Sequence, residues 1–185
     1  MKFFLKHPYS CAVILIWLIV FLVQQKADLT THFSNRGLSI IGREYYRFAT
    51  ALFLHSNLLH VIVNAVTIYW IGQYLEPQIN PFVLLVFSVA IGVITEAAFS
   101  AVFRNAIGTG GSPMIFALIG LIAALQFRRE CLVPFQLGTW YGNWITGYAI
   151  LSNLPVFSDS FTSTLFIHLL PLLLGCLAGY WMPII

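Results

Sequence analysis

Four residues stand out because they place polar chemistry inside apolar stretches: His60, Asn64, Ser112 and His168. Ionisable groups buried in a lipid-facing chain are costly and are functional candidates by default. Together these four hold what acyl transfer needs. A serine hydroxyl is a weak nucleophile until a neighbouring histidine accepts its proton, which assigns Ser112 as nucleophile and His168 as candidate base. The tetrahedral intermediate needs donors aimed at its oxygen. His60, Asn64 and the backbone N–H of Ser112 suit that task. Gly110 and Gly111, in the run Gly108-Thr-Gly-Gly111, let the backbone approach a substrate closely. No carboxylate stands out as a third member, so a dyad is the simpler reading.

Each residue also has a plainer role. Ser112 followed by Pro113 reads as a helix start, Ser at the N-cap and Pro at the first helical position. His60 and Asn64, four apart, share a helix face and suit hydrogen bonds between helices. His168 suits a hydrogen-bonded interior position. His55 and His60 are five apart and lack the H-E-x-x-H pattern, so no zinc site is expected. Nothing specific supports haem ligation, and no cofactor is expected. Glu96, in mid-segment, reads as a protonated or paired interior residue rather than a proton relay.

The elements that must position these groups follow from composition. The 185 residues are 59% hydrophobic and 8% charged, with a net charge of +3 and a mean hydropathy of +0.88. Soluble domains carry about 25% charged residues. A soluble globular protein, a nucleic-acid binder and a disordered tail are therefore excluded, and an integral membrane protein of one domain is expected. Six apolar segments predict an all-α bundle of six transmembrane helices, at about 8–24, 56–76, 81–103, 113–127, 132–157 and 164–183. Pro8, Pro77, Pro81, Pro113, Pro134 and Pro183 lie at or near their ends. The first run, after Lys2 and Lys6, has no small-residue cleavage site behind it and is read as a retained span. Cys11, Cys131 and Cys176 read as small packing residues. The connection from Gln24 to Ser56 is long enough to carry structure of its own, and its mixed composition suggests packing at the membrane edge. The fifth segment is the weakest span, with Gln136, Gly138, Gly142, Asn143, Gly147, Asn153 and Pro155.

Parity brings the polar groups to one level. The second, fourth and sixth helices run in the same direction. From His60 to Glu76 and from Ser112 to Arg128 is 16 residues, and from His168 to Pro183 is 15. At 1.5 Å per residue these are roughly 22–24 Å of a slab about 30 Å thick. Ser112, His60 and His168 then sit at one depth near the far boundary, with Asn64 one turn deeper. Lys2, Lys6, Arg128 and Arg129 lie on one side and Lys26, Arg36, Arg43, Arg47 and Arg104 on the other. The positive-inside rule counts short loops and most of the latter sit in the long loop, which favours a cytoplasmic N-terminus.

These residues, in order and spacing, resemble the rhomboid intramembrane serine proteases from about residue 40 onward. Glu44-Tyr-Tyr-Arg47 is similar to the family's aromatic and arginine loop. His55-Ser-Asn-Leu-Leu-His60-Val-Ile-Val-Asn64 is similar to its H-x(4)-H-x(3)-N signature. Gly110-Gly-Ser112-Pro-Met-Ile-Phe116 resembles the nucleophile motif, usually G-x-S-G, and His168 stands seven residues before Gly175. The resemblance implies a six-helix rhomboid-like core, with Ser112 as nucleophile and His168 as base. It implies an oxyanion hole of His60, Asn64 and the Ser112 N–H. Phe116 would pack under His168, while Gly110, Gly111, His55, Arg47 and Glu76 support the site. The implied activity is endopeptidase cleavage of transmembrane-anchored proteins near the extracytoplasmic face. Its partners would be such substrates and the lipid bilayer, with no nucleic acid, and its setting a bacterial inner membrane. The long first loop and the fifth helix would govern access. Two positions depart from the pattern. Pro113 replaces the glycine after the nucleophile and biases Ser112 toward extended dihedrals. Pro171 stands where the family usually has a glycine, and it deletes the hydrogen bond to the Ile167 carbonyl, which should kink the helix. Gly175 and Gly179 still offer a close-packing face. The alternative is a catalytically inactive rhomboid-like protein that binds transmembrane helices.

Overall fold

The structure, a computed structural model, describes residues 6–128, 133–154 and 160–182. Lys2, Arg129, Cys131, Pro155 and Pro183, and the outer ends of the segments at 132–157 and 164–183, lie outside those residues. The described chain is mainly helical: α1 (Pro8–Gln24), α2 (Leu29–Phe33), α3 (Arg47–Thr50), α4 (Leu58–Leu75), α5 (Pro81–Val102), α6 (Ser112–Arg128), α7 (Trp140–Leu151) and α8 (Phe161–Gly179). Helices α4, α5 and α8 are long and apolar enough to cross a membrane, and α1 and α6 are apolar at 17 residues each. Helix α7 takes only 12 residues of the weak fifth segment. Pro134 and Gly138, the latter at φ 92°, stand in the stretch ahead of it, and Thr139 starts the helix by accepting a hydrogen bond from the Gly142 N–H.

Four of the eight described helices start on a capping side chain, Asp28, Asn57, Asn80 and Thr139. Asn57 accepts from the His60 N–H to open α4, and Asn80 with Pro81 opens α5. Helix α1 is different, because the His7 side chain at its N-cap does not cap the helix. The Glu76 carboxylate, just past the end of α4, reaches across instead. It accepts from the Tyr9 N–H, the Ser10 N–H and the Ser10 hydroxyl at 3.0, 3.0 and 2.7 Å. Those are orphan donors of a helix N-terminus, where negative charge also suits the helix dipole. Gly72 leaves room for this clamp, since a Cβ there would lie 2.4 Å from Ser10 Oγ.

Helices α6 and α8 lie against each other backbone to backbone. A Cβ on Gly120 would stand 2.1 Å from the Leu172 carbonyl oxygen, and one on Gly175 would stand 2.1 Å from that of Ala117. Small residues are how helices approach this closely without water to drive them together. Helix α8 continues through Pro171, whose missing N–H leaves the Ile167 carbonyl without its helical donor.

The long loop before α4 carries α2, α3 and a 3-10 turn at Ala51–Phe53. Its strand β1 (Asn35–Arg36) pairs antiparallel with β2 (Ile107–Gly108), so the loop is tied to the stretch that leads into α6. Buried Arg47 organises it, donating to the Thr31 and Ser34 carbonyls and pairing with Glu44 at 2.7 Å.

Candidate active site

Ser112 is the first residue of α6 and is buried. The helix starts one residue earlier than the Ser-Pro pattern predicts. Gly111 takes the cap, its carbonyl accepting from the Met114 and Ile115 N–H groups. Only a glycine fits, because a Cβ there would lie 2.0 Å from the Trp17 ring. Freed from capping, the Ser112 hydroxyl makes no hydrogen bond among the described residues. It borders a cleft of about 780 Å³ shared with Gly110, Thr164 and Ile167.

His168 is buried on the facing helix. Its ring stacks on Phe116, one turn below Ser112, with centroids 4.2 Å apart and planes 15° apart. Its Nδ1 lies 3.1 Å from Asn153 Oδ1. The Asn153 amide nitrogen donates to the Ala149 carbonyl, which turns its oxygen toward the histidine. Nδ1 therefore carries the proton, and Nε2 keeps the lone pair that a general base requires. Asn153, in the turn just after α7, went unread in sequence as a site residue. So did Tyr148 on α7 itself, since both lie in a segment whose polarity signalled only a weak span.

Asn64 is gripped from two sides. Its Oδ1 accepts from the Tyr148 hydroxyl at 2.8 Å, and its Nδ2 lies 3.1 Å from His55 Nε2. Burial and the neighbouring His60 push the His55 pKa down to about 3, so this ring is neutral and accepts from the amide. One amide hydrogen of Asn64 is left over. His60 lies edge-on to His55, with ring centroids 5.0 Å apart, and its Nδ1 is 3.1 Å from the exposed Ser56 hydroxyl. The far side of the His60 ring faces Gly110, where a Cβ would stand 2.9 Å from Nε2. Gly110 has φ 131°, a conformation suited to glycine, and its N–H donates to the Ala51 carbonyl. His55, His60, Asn64, Gly110, Gly111, Ser112, Phe116 and His168 thus form one connected neighbourhood. Arg47 and Glu76 do not belong to it, since their bonds hold the long loop and the start of α1.

The family model described as Rhomboid domain matches residues 42–184. The chain belongs to the rhomboid family. Among its relatives, Rhomboid-like protease 2 of Toxoplasma gondii is 30% identical over 146 residues, covering 75% of this chain and 48% of that protein. Rhomboid protease GlpG of Yersinia pestis is 25% identical over 142 residues, with the same coverage. Inactive RHOMBOID-like protein 8 of Arabidopsis thaliana is 26% identical over 131 residues, covering 70% and 33%. The chain spans about half the length, or less, of these rhomboid relatives. Family membership and the apolar helices make it an integral membrane protein, in a family that contains both proteases and an inactive member.

Proposed function

We propose that this protein is an intramembrane serine endopeptidase that cleaves transmembrane-anchored proteins, with Ser112 as nucleophile and His168 as base. The observation that carries this reading is the His168 ring, stacked on Phe116 and bonded at Nδ1 to Asn153, beside the cleft that Ser112 borders. Nε2 accepts the Ser112 proton as the hydroxyl attacks the scissile carbonyl, then returns it to the leaving amine. The developing oxyanion is met by the spare Asn64 N–H, the Ser112 N–H and His60. The tautomer with Nε2–H lets His60 donate, with Nδ1 accepting from Ser56. In this reading six helices span the bilayer as a single rhomboid-like domain, and the membrane is a bacterial inner membrane with the N-terminus cytoplasmic.

A fluorophosphonate probe on the purified protein tests the nucleophile. Wild type takes the label, while Ser112→Ala does not. Absence of label on wild type, or equal label on the variant, overturns the protease reading. His168→Ala should also abolish cleavage of a transmembrane substrate and leave the fold intact. The second reading, a non-catalytic rhomboid that binds transmembrane helices, is favoured by one observation: the Ser112 hydroxyl makes no bond to His168. Catalytic hydrogen bonds are often long before substrate arrives, so the protease reading stands until the labelling experiment decides.

A further inference from the structure

The cleft beside Ser112 has an acid in its wall. Glu96 on α5 is 1% exposed and borders the same space as Ser112, Gly110 and Thr164. The carboxyl is held in place by one neighbour. Asn35 of β1 donates from its amide to both the Glu96 backbone carbonyl and Oε2, while its own oxygen accepts from the Ser100 hydroxyl. Gly108, paired with Asn35 across the two strands, leaves space against the same oxygen, since a Cβ there would stand 3.1 Å from Oε2. The other oxygen, Oε1, accepts no hydrogen bond within the described residues. No cation stands against the carboxyl either, because the ion pair among the described residues joins Arg47 to Glu44. A rigid, buried acid with one free oxygen on a cleft wall lacks its counterpart.

We propose that Glu96 receives a cationic side chain, lysine or arginine, from a transmembrane segment lying across Ser112. This rests on the cleft being the place where such a segment binds, and it adds a selection for positive charge. The cleft is roomy for a lysine stem, and Phe99 beside Glu96 offers an apolar surface for its methylenes. Charge-assisted bonds are the strong ones in a low-dielectric setting, so the acid separates a lysine from an uncharged side chain of similar length.

The test is a binding measurement on the Ser112→Ala protein in lipid nanodiscs, where turnover cannot intervene. The probe is a fluorescent single-span peptide with a leucine and alanine core and one variable residue in its outer third. With lysine there, Kd should be about 10-fold lower than with norleucine, which matches the stem and lacks the charge, as expected for a charge-assisted bond. Glutamine in the peptide should behave as norleucine does. In Glu96→Gln, whose amide oxygen still accepts from Asn35, lysine and norleucine peptides should bind within about two-fold of each other. Equal affinity for the two peptides in the protein that keeps Glu96 overturns the inference, and so does an undiminished lysine preference in Glu96→Gln. The comparison of peptides on the Glu96 protein stands even where the variant does not fold. Loss of fluorophosphonate labelling with a retained lysine preference would sink the protease reading and leave this one standing.

Discussion

Replacing Gly175 by alanine puts a methyl group where the α6 backbone already lies. The added Cβ would sit 2.1 Å from the Ala117 carbonyl oxygen, about 1.3 Å short of the 3.4 Å at which ordinary contact begins. The obstacle is backbone on both sides, so no rotamer change relieves it and α6 and α8 must part. Overpacking of this kind costs about 1–3 kcal/mol, or roughly 2–12 °C in Tm for a chain of this size. The same displacement moves His168 relative to Ser112, and a misplacement near 1 Å costs about 100-fold in rate. Gly147→Ala is the matched control. Nothing lies within 4 Å of a Cβ at that helical position, so alanine should be neutral or stabilising by about 0.5–1 kcal/mol. Thermal unfolding in detergent reads the stability, and the rate of fluorophosphonate labelling reads the dyad. If Gly175→Ala unfolds within a degree of wild type and labels at the same rate, the close α6–α8 contact does not set the site.

Three further outcomes are expected. Asn153→Ala should slow labelling about 10–100-fold through a loosened His168 ring, and Asn153→Asp should restore much of it by supplying an acceptor for Nδ1. Glu76→Ala should lower stability by about 1–3 kcal/mol, measured by thermal unfolding, because charge-assisted bonds to helix N–H groups are lost. The Arg47 hydrogen bond, aided by other neighbours, holds the exposed Glu44 carboxyl below its ordinary 4.5. A depressed carboxyl contributes above its unfolded value and loses that contribution as pH falls through the folded one. Protease nicking of the loop at 25–46 should therefore be constant from pH 5 to 8, on the order of the neutral range, and rise only in acid below about pH 4.5.

How much of this was legible in sequence depended on contrast. Ser112, His60, Asn64 and His168 were visible because each interrupts a run of apolar residues, and equal spacing to the segment ends put three of them at one depth. Asn153 and Tyr148 were hidden for the opposite reason, since they sit among other polar residues and small glycines in a segment with little periodic signal. The length of α7 was hidden with them, because an apolar average over 132–157 does not show that Pro134 and Gly138 keep the stretch before Thr139 outside the helix. Non-local pairings left no trace in spacing either. Asn35 and Glu96 are 61 residues apart, and Ser10 and Glu76 are 66 apart. Nothing in a local pattern says that an asparagine in a loop will orient a buried acid, or that a glutamate ending one helix will begin another.

That last clamp bears on the order in which the chain is put together. Helix α1 is the first of the described helices to be synthesised, but its opening turn lacks a partner of its own. The donors of Tyr9 and Ser10 stay unmet until α4 has been threaded and Glu76 arrives at their level. Helix N-terminal N–H groups without a protein partner fall to water, so until then the first turn of α1 is held only by solvent and is free to fray. Its final seating then reports that the helix carrying His60 and Asn64 is already in place.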